Sequence, residues 1–265
     1  MGTNCSGLNI CSYSGGKDST ASVILAHENG ITLDKIVFCE VMYDISRNIS
    51  GESPCHIDFI YNVAKPTFES WGYEFVVLRS EQDFLTHFNK IMKNPRKHME
   101  NKGKRLGFPA GKGFCSIKRD CKVNMIKNYK KSLACKNIID YVGICIDEPN
   151  RLESLHKNPN TISLLERYNY TEAMARELCE SYGLLSPIYN LTKRGGCWFC
   201  PNAKLSEMSA VKQQSPELWR EFIELENEPN LATYKWNVFR ESLHEIDKKI
   251  DLLDSQRQMT IFDYL

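Results

Sequence analysis

Residues 14–20 of this 265-residue chain read Ser14-Gly15-Gly16-Lys17-Asp18-Ser19-Thr20, and the residues on either side constrain how that run folds. The apolar stretch 8–13 before it predicts a buried strand. Residues 21–27 after it have the pattern of an amphipathic helix, and the two adjacent glycines make a tight turn between them. Strand, glycine turn and helix N-terminus together form an anion site. Backbone without side chains lets N–H groups approach a phosphate, the helix dipole favours negative charge, and Ser14, Ser19 and Thr20 add hydroxyl donors. Lys17 adds a point charge for a phosphoryl oxygen. Neither G-x-x-x-x-G-K-S/T nor G-x-G-x-x-G is present, so the two best-known phosphate loops are excluded.

The rhythm continues along the chain. Residues 35–42 read as a second strand, 56–71 as a helix, 73–78 as a third strand and 137–146 as a fourth. Such alternation implies an α/β fold on a parallel sheet with right-handed crossovers. Ligands of these sheets sit at the carboxyl ends of the strands, where residues 14–20 fall. Residues 171–182 predict a helix with Gly183 as its C-cap. Residues 184–201 read as loop, and 207–253 as mostly helical, with Ser215-Pro216-Glu217 a helix start. This divides the chain into a nucleotide-binding domain over 1–201 with a basic insert at 88–122, a helical segment over 202–257, and a tail over 258–265.

The formal net charge is only +1, so any nucleic-acid surface must be local. The insert, with Lys90, Lys93, Arg96, Lys97, Lys118 and Arg119 among its cations, reads either as such a surface or as a solvated excursion. No apolar run approaches a membrane span, and the N-terminus lacks a secretory pattern, so a cytoplasmic protein with no membrane partner is expected. Eleven cysteines then read as thiols or metal ligands rather than disulfides. Cys197-Trp198-Phe199-Cys200 aims two sulfurs at one point, as a metal pair or a redox dithiol. Cys115 and Cys121 form a second pair. Four thiolates suit either tetrahedral Zn²⁺ or one [4Fe-4S] cluster. Cys5, Cys11, Cys39, Cys55, Cys135, Cys145 and Cys179 read as small core residues.

The S-G-G-x-D-S loop, the Cys115 to Lys122 stretch, Gly143-x-x-x-Asp147-Glu148-x-x-Arg151 and PIYNLTKRGGCWFCP together resemble the phosphoadenosine phosphosulfate (PAPS) reductase-like family of the PP-loop ATP pyrophosphatase superfamily. The likeness covers residues 8–201. It implies a five-stranded parallel sheet with helices on both faces and an adenine nucleotide over the strand ends. ATP would sit on Ser14, Gly15, Gly16, Lys17, Asp18, Ser19 and Thr20. Asp147 and Glu148 would lie across the pocket, where an acid helps hold Mg²⁺. Lys17, Asp18 and Arg151 would carry the chemistry, with Arg151 on a phosphate. Cys115, Cys121, Cys197 and Cys200 match the positions at which some members hold an iron–sulfur cluster.

Two departures from the reductases matter. The chain has no cysteine after Cys200, so their C-terminal nucleophile is missing, and its loop is intact. Both imply cleavage of ATP at the α-phosphate to adenylate a substrate, followed by sulfur transfer to DNA, tRNA or a small molecule, with a cysteine desulfurase as sulfur donor. The alternatives are a PAPS or adenylylsulfate reductase, and a non-catalytic nucleotide-sensing or clamp-tethered binding module. Glu52 and His56 read either as an acid–base pair or as a helix start. The tail, Gln258-Met259-Thr260-Ile261-Phe262-Asp263-Tyr264-Leu265, resembles the extended peptides with which replication proteins dock on the sliding clamp; folding back onto the core is the other reading.

Overall fold

The apolar run ahead of the glycines forms strand β1 (Leu8–Tyr13), and four further strands extend it into one sheet. These are β2 (Lys35–Glu40), β3 (Glu74–Arg79), β4 (Ile138–Tyr141) and β5 (Thr161–Ile162). Their order is β5–β4–β1–β2–β3, and every neighbouring pair is parallel. The structure, a computed structural model, describes residues 7–111, 114–236 and 241–262 and, within these, all side chains but those of 110, 111, 114 and 256–262. It divides into two compact units. The first comprises 1–40, 54–80 and 122–190, and the second 41–53, 81–121 and 191–265.

The sheet is the centre of the first unit. Ile36, Val37, Phe38 and Cys39 are all fully buried, as a strand covered by helices on both faces requires. Tyr13 packs edge-on against Phe38, Phe68 and Phe75. Each such ring contributes about 1.5–3 kcal/mol through the apolar area it removes from water. Helix α1 (Lys17–Glu28) follows β1 directly. The helix predicted over 56–71 forms as Pro54–Phe59 and Lys65–Ser70, joined by a wider π turn at Ile60–Ala64. Pro66 lacks the N–H that a regular turn would need there, which accounts for the widening.

The strand expected over 137–146 ends at Tyr141. The reason lies at Gly143. A Cβ there would stand 2.4 Å from the Asp18 carbonyl carbon and 2.5 Å from the Ser19 nitrogen. The backbone leaves the ladder to press against the start of α1, and only glycine permits that approach.

The second unit is built on aromatic packing. Tyr43, Phe84, Trp198, Phe199 and Phe222 form one continuous cluster. Its longer helices run Leu205–Gln214, Pro216–Glu224 and Leu243–Phe262. Between them Leu231–Thr233 is a strand, paired in parallel with Arg105–Gly107 of the basic insert. The insert is therefore partly built into this core, with Phe108 1% exposed. At the tail, the backbone of 258–262 continues the last helix instead of extending as a docking peptide, and residues 263–265 lie outside the described residues. Cys5 also lies outside them. No described helix is long and apolar enough to cross a membrane.

Candidate active site

In the first unit the chain adds β2 and β3 on one side of β1, and β4 and β5 on the other. The crevice at the carboxyl ends of β1 and β4 is thus the topological switch point, where sheets of this type take their ligands. Residues 14–19 leave β1 there, and residues 143–148 leave β4. Gly15 adopts φ +76°, and a Cβ on it would lie 2.5 Å from Ile60 Cδ1 and 2.8 Å from the His56 ring. Ser19 is the internal clasp of the loop. Its hydroxyl donates to the Gly16 carbonyl at 2.9 Å and accepts the Ser14 N–H at 3.2 Å.

Helix α1 has no side-chain cap at Gly16. The Lys17 N–H donates to the Tyr189 hydroxyl at 2.8 Å, and the Thr20 N–H to the Gly16 carbonyl at 3.0 Å. An uncapped first turn leaves donors and the positive end of the dipole for an anion. Thr20 is fully buried, with its hydroxyl 3.2 Å from that of Tyr13, so it ties α1 to β1. His56 is 1% exposed, with Nδ1 2.7 Å from Ser186 Oγ and Nε2 3.3 Å from the Ser14 carbonyl oxygen. A carbonyl only accepts, so Nε2 carries the proton and Nδ1 accepts from Ser186. His56 braces the loop from behind.

Lys17 Nζ lies 2.7 Å from Asp18 Oδ1 and 2.7 Å from Glu172 Oε2. Burial alone would lower the Lys17 ammonium, but the two carboxylates outweigh it and hold it above its ordinary value. Burial raises Asp18 despite the pull of Lys17 in the other direction. The Cys145 thiol donates to Asp18 at 3.4 Å, and burial, reinforced by Asp18, pushes that thiol up. Glu148 accepts the Cys145 N–H at 3.2 Å and pairs with Arg151 one helical turn on. Arg151 is 56% exposed and engaged in this local pair. Asp147 accepts the Glu172 N–H with both oxygens, at 3.1 and 3.2 Å, and caps helix Glu172–Ser181.

Ligand atoms of Asp18, Cys145 and Glu148 all lie within 4.8 Å of one another. Mg²⁺ takes oxygen ligands. The two carboxylates fit it, whereas a buried thiol that stays protonated does not. Asp147, committed to its cap, stands outside this set. Tyr189 and Glu172 escaped the sequence reading. Tyr189 lies in the PIYN run quoted above, and Glu172 is the acidic first-turn residue of a predicted helix.

All four paired cysteines fall in the second unit. The Cys197–Cys200 turn closes with the Cys200 N–H on the Cys197 carbonyl at 3.0 Å. It is pinned by the Trp198 N–H on the Gly51 carbonyl and by Trp198 Nε1 on the Ser50 carbonyl. Burial pushes the half-buried Cys115 thiol up, and Cys200 stands near enough to add to the rise. Cys121 is fully buried and donates to the Gln82 carbonyl at 3.4 Å, with His87 Nε2 at 3.6 Å. Burial lowers His87, which therefore stays neutral.

Four sulfurs on one zinc at about 2.3 Å stand about 3.8 Å apart. Among the described residues of this unit no three ligand atoms lie within 4.8 Å of one another, so the thiols do not form a closed zinc tetrahedron. An all-sulfur donor set is the chemistry that a four-iron cluster takes. Glu52 and His56 belong to different units. Glu52 is 2% exposed, and its Oε2 has no hydrogen-bond partner among the described residues. Of the other cysteines, Cys11, Cys39, Cys145 and Cys179 are buried as expected and Cys55 is half-buried. Cys135 departs from the expectation of core thiols: it is disulfide-bonded.

No protein-family model matches this chain, and no curated protein matches it. Among solved structures it is similar to the U34-tRNA thiolase NcsA from Methanococcus maripaludis with its [4Fe-4S] cluster. The two are 18% identical, with 95% of this chain and 72% of that one covered and a TM-score of 0.39.

Proposed function

We propose that the chain is a cytoplasmic PP-loop enzyme that binds ATP on residues 14–19 and cleaves it at the α-phosphate. The supporting observation is the convergence, at one switch-point crevice, of the Gly15 turn, an uncapped helix start, Lys17 and the Asp18–Glu148 pair. A substrate oxygen bonds to the α-phosphorus while the bond from that phosphorus to the bridging oxygen breaks. Pyrophosphate leaves with the electron pair. The N–H donors of the α1 start and Lys17 stabilise the charge that collects there, and Asp18 and Glu148 would hold Mg²⁺ against the same phosphates. Lys17 gives up its contact with half-exposed Glu172 to reach a phosphoryl oxygen.

The adenylated oxygen then becomes the leaving group. The outer sulfur of a persulfide on a donor such as a cysteine desulfurase bonds to the activated atom as AMP leaves. An external thiol then reduces the resulting donor–substrate disulfide, releasing the thiolated nucleic acid or small molecule and the donor thiol while the reductant is oxidised to a disulfide. Cys115, Cys121, Cys197 and Cys200 would hold a [4Fe-4S] cluster, which supplies a sulfur-binding or redox-active iron site when bound. Pyrophosphate release from ATP tests the first step. Lys17→Ala is expected to lower it at least about a hundredfold, the scale of losing one transition-state donor. Equal turnover in both proteins refutes the reading.

A further inference from the structure

Within the second unit, the basic insert forms a cleft of about 970 Å³. Ile91, Met92 and Leu106 give it an apolar lining, and Lys90, Lys93 and Arg119 give it charge; among the described residues no acidic one lines it. Its walls are held by backbone bonds. The Leu106 N–H donates to the Lys90 carbonyl at 2.8 Å, and the Met92 N–H to the Lys104 carbonyl at 2.9 Å. Ile91 is 48% exposed. Arg119 is paired with Asp120, but neither Lys90 nor Lys93 has an ion pair within 4 Å among the described residues. The cleft is thus preformed, apolar on its wall and cationic, with Asp120, paired to Arg119 and within electrostatic reach of Lys90, as the acid beside it. A cavity of this size accommodates a nucleotide-sized ligand.

We propose that this cleft holds an unstacked nucleotide of a single-stranded nucleic-acid segment. The base lies against Ile91, Met92 and Leu106, and the flanking phosphates lie on Lys90, Lys93 and Arg119. A duplex hides its base faces and would leave the apolar wall unused, whereas an unpaired strand offers base and phosphate together. Ser116 lines the same cleft and directly follows Cys115, so a strand held here runs beside the cysteine site. This rests on the reading that the acceptor of the sulfur is a nucleic acid.

The test is fluorescence anisotropy of the full chain with a labelled single-stranded oligonucleotide, made in RNA and in DNA, across a salt series. An abasic sugar-phosphate strand of equal length is the control with the same charge and no bases. Either strand type is expected to bind at least tenfold more tightly than the abasic control. Lys90→Ala with Lys93→Ala should raise Kd at least tenfold and reduce the log–log salt slope by about 1.4, from about 0.7 per phosphate contact on single strands. Ile91→Ala should weaken binding several-fold and leave the slope unchanged. Equal binding of the abasic strand, or a Kd within twofold of the parent in the double variant, overturns the proposal. Strand binding lost while pyrophosphate release persists removes this site alone. Pyrophosphate release absent from a strand-binding parent protein removes the ATP reading and leaves this site standing.

Discussion

Replacing Gly15 by alanine separates the two demands that the loop places on that residue. The first is conformational: at φ +76° a side chain costs about 1–2 kcal/mol. The second is steric. The new methyl would meet Ile60 Cδ1 at 2.5 Å and the His56 ring at 2.8 Å, and overpacking of a filled site costs about 1–3 kcal/mol. Together they predict a loss of about 2–5 kcal/mol. Gly30 provides the control, since it has φ +62° and nothing within 4 Å of its Cβ position; Gly30→Ala should show only the conformational cost. For a chain of this size 1 kcal/mol moves the thermal midpoint by about 2–4 °C. Gly30→Ala is then expected to lower it by about 2–8 °C and Gly15→Ala by about 4–20 °C. Differential scanning fluorimetry with and without Mg-ATP reads both effects. Nucleotide at a hundredfold excess over Kd adds about 2.7 kcal/mol to the parent protein, and Gly15→Ala should lose that rise. Equal drops for the two glycines, or a full ATP-induced rise in Gly15→Ala, would refute the account of the loop.

Glu172→Gln releases Lys17 from one of its two carboxylates; with Glu172 50% exposed, the pair is worth less than about 1 kcal/mol. ATP should therefore bind about two- to fivefold more tightly by calorimetry, and weaker binding would mean that Glu172 orients Lys17 for the phosphate. The buried Cys179 thiol, raised from 9.0 to about 12 chiefly by burial, makes the fold sensitive to alkali. Above about pH 9 the unfolded thiol ionises while the folded one keeps its proton, so stability falls by about 1.4 kcal/mol per pH unit until about pH 12. Urea midpoints measured from pH 8 to 11 should fall less steeply in Cys179→Ala, and parallel curves would refute this.

The strand, turn and start of α1 were legible because the pattern changes period at Gly15 and Gly16. The helix itself begins at Lys17, ahead of the expected 21, since a polar first turn of Lys17, Asp18 and Ser19 carries no apolar spacing. β5 escaped notice because Thr161–Ile162 is too short to show a period. Leu231–Thr233 lay hidden in a helical pattern, and it forms by pairing with Arg105–Gly107, far away in sequence. The same non-locality concealed the contacts that build the site. Tyr189 meets Lys17, His56 braces Ser14, and His87 faces Cys121, each across long sequence separations. Arg151 and Glu148, only three residues apart, form the local pair that their spacing allows.

The interleaving of the two units in the chain has a consequence for how the protein is made and cut. Each unit is assembled from three separate stretches, so the polypeptide passes between them at 40/41, 53/54, 80/81, 121/122 and 190/191. A ribosome delivers these stretches in order. The sheet of the first unit remains open until Thr161–Ile162 emerges, and residues 41–53 and 81–121 wait for partners beyond 190. Neither half matures early, and no single proteolytic nick or simple truncation releases one intact. Separating the nucleotide loop from the cysteine site would require a rewired chain.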